Sequence, residues 1–147
     1  WCSFPDLKLP AIKAKVDTGA KTSCLHAFDI ETFMEEGQKY VRFSIHPMQN
    51  SKKMVRVCTS PVADYRYVTN SGGKREKRYV IKSSLVMDGH KWPIEITLTK
   101  RDTMSFRMLL GREAMRKGKF VVDPAKSCLL GKVSKESFKQ LHDNKNI

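Results

Sequence analysis

Val16-Asp17-Thr18-Gly19-Ala20 carries an apolar strand residue straight into a tight polar turn. An aspartate at a strand end, two residues before a glycine, presents its carboxylate from that turn. Such a group acts as general base toward water or as general acid toward a carbonyl, according to its protonation. Thr18 brings a hydroxyl able to hydrogen-bond backbone across a symmetry partner, and Gly19 lets a second backbone approach closely. The same triplet also builds ordinary β-turns. Far downstream, Leu109-Leu110-Gly111-Arg112 makes a second passage from an apolar run through glycine. Between the two, Ser71-Gly72-Gly73 forms a tip whose paired glycines permit positive φ and hinge motion, followed by Lys74, Arg75, Lys77 and Arg78. As a flap over a cleft, those cations would ring it and attract acidic peptide; as a plain surface hairpin, they form a solvated basic arm.

Other chemistries find less support. His26, His46, His90 and His142 are scattered, and no His-Glu-x-x-His stretch occurs, so no metal site is expected. Cys24 and His26 share one strand side, with His46 as a third group that could converge on them, but their spacing is not that of a ligand set. Neither does the Cys24–His26 pair build a nucleophile relay by position alone. No glycine-rich Lys-Ser/Thr loop is present, so a nucleotide requirement would belong to a partner; no cofactor is expected.

These groups need a scaffold, and the pattern around them reads all-β with short loops. Ile12, Ala14 and Val16 alternate with lysines over Ala11–Val16. Tyr40–Ile45 and Met54–Cys58 repeat the alternation. Tyr65–Val68 and Tyr79–Ile81 flank the glycine tip as arms of a long hairpin. Ser84–Met87 and Trp92–Thr99 flank Asp88-Gly89, a strong two-residue hairpin signal. Met108-Leu109-Leu110 has the continuous apolar character of a buried strand, and Gly111 turns it into a short helix, Arg112–Lys117, that Gly118 can end. Phe120–Val122 and Cys128–Leu130 are expected to complete the strands around Asp123-Pro124. Ser134–His142 suits a terminal helix, and residues 143–147 are expected to fray. The absence of repeats and linkers predicts one domain over residues 1–147.

The chain has 147 residues. A chain of that size buries roughly 68–70% of its unfolded surface and needs no disulfide or metal to fold. Hydrophobic residues at 40% and charged residues at 29% are globular values. No apolar run is long enough to span a membrane as a helix. The 28 Lys+Arg against 15 Asp+Glu leave a net charge of +13, which favours acidic partners without naming one. Phenylalanines, tyrosines and tryptophans do not interleave with basic residues along the chain as in a stacking motif, so no specific nucleic-acid binding is expected. Cys2, Cys24, Cys58 and Cys128 contain no Cys-x-x-Cys pair and fit buried thiols in a reducing compartment such as the cytoplasm. The chain opens on Trp1 rather than Met, so a removed leader and an exported form stay open.

Taken in order, Asp17-Thr18-Gly19-Ala20-Lys21-Thr22-Ser23 with Leu25-His26-Ala27, then Ser71-Gly72-Gly73-Lys74-Arg75-Glu76, Trp92-Pro93-Ile94-Glu95 and Arg107-Met108-Leu109-Leu110-Gly111-Arg112 resemble one bacterial family. It comprises retropepsin-like peptidases often labelled "ATP-dependent zinc protease" and associated with the ATP-grasp ligase that adds glutamate to ribosomal protein S6. The resemblance covers essentially the whole chain. It implies an acid-protease barrel and an aspartic endopeptidase with Asp17, Thr18 and Gly19 at the catalytic turn. Ala20, Ser71, Gly72, Gly73 and Arg75 would contact substrate, with Gly111 and Arg112 structural. A single Asp-Thr-Gly implies a homodimer that supplies the second aspartate. A non-catalytic peptide- or partner-binding module of the same fold is the alternative, and a zinc-dependent protease a further one. One departure stands out. Retropepsins usually place an acid two residues after the glycine, paired with the later arginine, and this chain has Lys21 there. Arg112 therefore needs another acceptor: Glu113, Asp29 or a backbone carbonyl.

Overall fold

A computed structural model describes residues 1–143 except 50, 71, 101–104, 124 and 129; of residue 135 only the backbone is described. Within the described residues, eleven strands and two α-helices run in the order β1 (Cys2–Phe4), β2 (Leu9–Ile12), β3 (Ala14–Asp17), β4 (Ser23–His26), β5 (Phe28–Glu35), β6 (Gln38–Ile45), β7 (Arg56–Pro61), β8 (Asp64–Thr69), β9 (Arg75–Met87), β10 (His90–Thr99), β11 (Met108–Gly111), α1 (Arg112–Gly118) and α2 (Lys135–Asp143), with a 3-10 turn at Pro5–Leu7 between β1 and β2. The larger sheet has the order β2-β1-β9-β10-β4-β11-β3, with β8 paired to β9, and it curls into a nearly closed barrel. A second sheet, β5-β6-β7, is antiparallel throughout. The chain is mostly β, as expected. Phe4, Leu9, Ile12, Leu25, Phe43, Ile45, Ile81, Leu85, Ile96, Met108 and Leu110 are almost wholly removed from water and form its core.

Three local features position the site. β4 runs parallel to β10 and antiparallel to β11, so Ser23, Cys24, Leu25 and His26 are all buried. Such a central strand shows no apolar–polar alternation, which is why the sequence pattern leaves it invisible. β11 pairs in parallel with β3, and Gly111 stands opposite Asp17. β8 and β9 form the long hairpin, with Thr69 facing Arg75 just below the tip.

Several expectations are corrected. Ala11–Val16 divides at Lys13, its first part pairing with β1 and its second with β11. Tyr79–Ile81 and Ser84–Met87 belong to one 13-residue strand that serves β1, β8 and β10 along its length. β5 escapes the alternation because a register shift between Phe28 and Glu31 interrupts it, with Asp29 at φ +50°. Asp88 and Gly89 both take positive φ between Met87 and His90, the turn their identity predicts.

Phe120–Val122 forms no strand. The Phe120 amide instead caps α1 through the Met115 carbonyl, and its ring stacks on Trp92 at 5.3 Å. Of Cys128–Leu130, residues 128 and 130 are not in a strand and residue 129 lies outside the described residues. The left-handed residue ending α1 is Lys119, not Gly118. Gly118 is small for another reason: a Cβ there would clash with the Trp92 ring. α2 forms as expected and ends at Asp143, while residues 144–147 lie outside the described residues. Among the described residues, no helix is long and apolar enough to cross a membrane.

Candidate active site

Asp17 is the last residue of β3 and half-buried. Its Oδ1 accepts the Gly19 amide at 3.0 Å, and its carbonyl accepts the Ala20 amide at 3.2 Å. This Asx turn holds the carboxylate at the mouth of the loop. The loop is in turn fastened to the second glycine turn. Arg112 N donates to the Ala20 carbonyl at 2.9 Å and Glu113 N to the Lys21 carbonyl at 3.1 Å. The first amides of α1, which have no partner within the helix, are thereby satisfied by the aspartate loop. Gly111 N donates to Ser23 Oγ at 3.0 Å. A Cβ on Gly111 would fall 2.7–2.9 Å from backbone atoms of Lys21 and Thr22, so only glycine lets the turns close on each other.

Arg112 Nη1 donates to the Gly19 carbonyl at 3.3 Å. Of the three acceptors open to it, the backbone carbonyl is the one used; Glu113 pairs with Arg116 at 3.3 Å. With Lys21 in the usual acid position, the arginine holds the loop by its backbone instead.

A cleft of about 970 Å³ opens over this loop. Asp17, Gly19, Ala20, Lys21, Thr22, Ser23 and Cys24 form its floor, Arg66–Asn70 and Arg78 the hairpin wall, and Arg112, Glu113, Ala114 and Lys117 the helix wall. Arg66 donates to Glu95 Oε2 at 2.6 Å and Asp64 Oδ2 at 3.3 Å. The hydrogen bond it gives to Glu95, reinforced by the negative charges of Glu95 and Asp64, holds its pKa above the ordinary arginine value. Buried Arg78 pairs with Glu76 and donates to Thr97 Oγ1 at 3.4 Å and Cys24 Sγ at 3.6 Å. Thr99 Oγ1 donates to Glu76 at 2.9 Å. These bonds tie the hairpin base to the floor. The cations lining the cleft without a described partner are Lys21 and Lys117.

The fold thus gathers Asp17, Gly19, Ala20 and Arg112 at one cleft. Thr18 is exposed beside them and Gly111 is buried beneath. Gly72 and Gly73 sit at the hairpin tip, organised by Asn70, whose Oδ1 accepts the amides of Gly72 and Lys74. They do not line the cleft, and Ser71 lies outside the described residues. The expected ring of four cations is corrected. Only Arg78 faces the cleft, because strand alternation turns Arg75 and Lys77 outward. There Arg75 sits over Tyr67 at 4.6 Å and Lys77 over Tyr65 at 4.7 Å. The roles of Arg66, Glu95 and Ser23 were not legible, since each comes from a partner distant in the chain.

The described His, Cys, Asp and Glu side chains do not fit a zinc ion: no three of them gather as ligands. His46 stacks on Phe28 and shares a hydrogen bond with the Met54 carbonyl.

Residues 1–132 match the RimB-like family, described as "retropepsin-like aspartic endopeptidase RimB". The chain belongs to this family. Among relatives of the RimB-like chain, a protein of Desulfotalea psychrophila named "Probable alpha-L-glutamate ligase" is 52% identical over 93% of the chain and 29% of its own length. One of the same name from Shewanella halifaxensis is 50% identical over 99% and 32%. The chain thus spans about a third of the length of these curated relatives. A solved structure of a Legionella pneumophila protein of unknown function superposes with a TM-score of 0.72. It is 27% identical and is covered over 86% of this chain and 89% of that one.

Proposed function

We propose that the chain is an aspartic endopeptidase whose catalytic dyad is Asp17 from each of two chains. The observation that carries this reading is the Asp17-Thr18-Gly19 loop at the cleft floor, locked to the Gly111-Arg112 turn. Among the described residues no second carboxylate hydrogen-bonds Asp17, so its mate comes from a two-fold copy. Two carboxylates about 3 Å apart share one proton, as in aspartic proteases generally. The ionised one takes a proton from water while the neutral one donates to the scissile carbonyl oxygen. Water then adds to the carbonyl carbon, and the tetrahedral species collapses as the leaving amine gains a proton. Gly19 and Ala20 leave room for an extended substrate strand, and the hairpin closes over it.

The preferred substrate is acidic: Lys21 and Lys117, which have no partner among the described residues, offer two ammonium groups to side-chain carboxylates in the cleft. Relatives named as glutamate ligases carry a counterpart of this chain, so we place its peptidase activity alongside glutamate ligation.

Cleavage of a mixed peptide library by the wild type and by Asp17→Asn tests the reading. Asparagine keeps the Gly19 hydrogen bond, so the fold is expected to survive while hydrolysis is lost. Equal cleavage by both would remove Asp17 from the mechanism, and a folded wild type that binds acidic peptide without cleaving it would make the chain a binding module. Turnover of acidic peptides is expected to fall with ionic strength more steeply than that of neutral ones; equal dependence would defeat the acidic preference.

A further inference from the structure

The outer face of the β8–β9 hairpin turns away from the cleft floor, although Tyr67 and Thr69 also border the cleft's rim. Cross-strand register sets Tyr65 opposite Tyr79, Tyr67 opposite Lys77 and Thr69 opposite Arg75, all on this face. The side chains form one continuous stack. Lys39 lies over Tyr79 at 5.8 Å, Tyr79 and Tyr65 stack at 4.3 Å, Lys77 bridges Tyr65 and Tyr67 at 4.7 and 5.5 Å, and Arg75 covers Tyr67 at 4.6 Å. Charge is segregated across the hairpin. On the inner face Arg66 and Arg78 are matched by carboxylates, whereas the three outer cations enter no described ion pair. Tyr65 and Tyr67 remain 43% and 58% exposed.

We propose that this face docks single-stranded nucleic acid, without regard to base sequence. Alternating cations and exposed rings on a sheet are what a single strand requires: phosphates pair with the cations while bases, whatever their identity, stack on the rings. An exposed cation–ring contact is weaker than a base stacked on the same ring. An incoming base therefore displaces Lys77 or Arg75 from tyrosine, and the released cation turns to the adjoining phosphate. An acidic polypeptide would engage the three cations but gain nothing from the tyrosines. The interleaving of Tyr65 and Tyr67 with Lys77 and Arg75 is made by pairing two strands.

Fluorescence anisotropy with labelled twelve-nucleotide oligo-U and oligo-dT tests the surface, with circular dichroism confirming that each variant is folded. Binding is expected to both oligomers, falling steeply with salt. Tyr65→Ala, which leaves the net charge unchanged, should weaken it about fivefold or more, as loss of one stacked base implies. Tyr65→Phe should restore it. Lys52→Gln with Lys53→Gln, which removes two exposed charges elsewhere, should weaken it less than Lys77→Gln with Arg75→Gln. Asp17→Asn should leave binding unchanged whether or not the chain hydrolyses peptides, which separates this surface from the peptidase reading. Three results would overturn the proposal: no binding at low salt, Tyr65→Ala binding like wild type, or displacement of the oligomer by polyglutamate at equal charge concentration. The last would make the face a docking site for acidic protein.

Discussion

Replacing Gly111 by alanine adds one carbon at the point where the two site turns meet. Gly111 has φ −79° and ψ 168°, a conformation alanine adopts freely, so no backbone strain enters. On the unfolded side alanine even stabilises, by about 0.4–1 kcal/mol, through lost chain entropy. The opposing effect is steric. The new Cβ would lie 2.7 Å from the Thr22 carbonyl carbon, 2.8 Å from the Lys21 oxygen and 2.9 Å from the Thr22 oxygen. All three are backbone atoms, with no flexible side chain to yield. Restoring ordinary contact separates the turns by about 0.6 Å, and overpacking of this kind costs about 1–3 kcal/mol. The same movement stretches the Arg112–Ala20, Glu113–Lys21 and Gly111–Ser23 hydrogen bonds, each contributing about 1 kcal/mol. The steric side wins by about 3 kcal/mol, which for a chain of this size lowers Tm by about 6–12 °C. Scanning calorimetry of wild type and Gly111→Ala reads this directly, and hydrolysis is expected to fall with it because Asp17 stands on the displaced loop. A Tm within about 2 °C of wild type would refute the claim that these turns meet backbone to backbone.

Other outcomes follow from single groups. Trp92→Phe removes the indole N–H that donates to the Ala114 carbonyl at 2.9 Å and part of the surface packed on Gly118, so a loss of about 2 kcal/mol is expected in urea unfolding. Burial pushes the Cys2 and Cys58 thiols up to about 12. The unfolded chain ionises first, so stability is lost as pH rises between about 8.5 and 12, and Cys58→Ala should flatten that alkaline limb in pH-dependent melts. Burial lowers the pKa of His142, whose ring stacks on Phe138 at 4.1 Å. Its contribution is present above the ordinary histidine range and lost as pH falls through it, so His142→Phe should flatten the acid limb of the same melts.

The sequence disclosed what depends on neighbours in the chain. Asp88-Gly89 specifies its turn locally, the apolar run before Gly111 marks a buried strand, and the Asp17 loop can be recognised by its residue types. What it hid depends on partners brought together by folding. β4 is buried on both faces and has no periodicity, although its Ser23 hydroxyl holds Gly111. The bulge at Asp29 erases the alternation of β5. Phe120 and Val122 suggested a strand because they are apolar, but Phe120 is used to cap a helix and cover Trp92. The cations after Gly73 lie close together in sequence, yet Arg78 points inward while Arg75 and Lys77 point outward, so a charge run became a buried Arg78 and an exposed stack. The acceptor of Arg112 was likewise set by loop geometry, with the Gly19 carbonyl standing where a side-chain acid is usual.

Subunit mixing tests the two-chain dyad most directly. Wild-type and Asp17→Asn chains are allowed to exchange at constant total concentration, and peptide hydrolysis is followed against the wild-type fraction. If two Asp17 carboxylates must meet, mixed pairs are inactive and the rate follows the square of that fraction. A rate strictly proportional to the fraction, with exchange verified, would mean that each chain hydrolyses alone and would contradict the shared site.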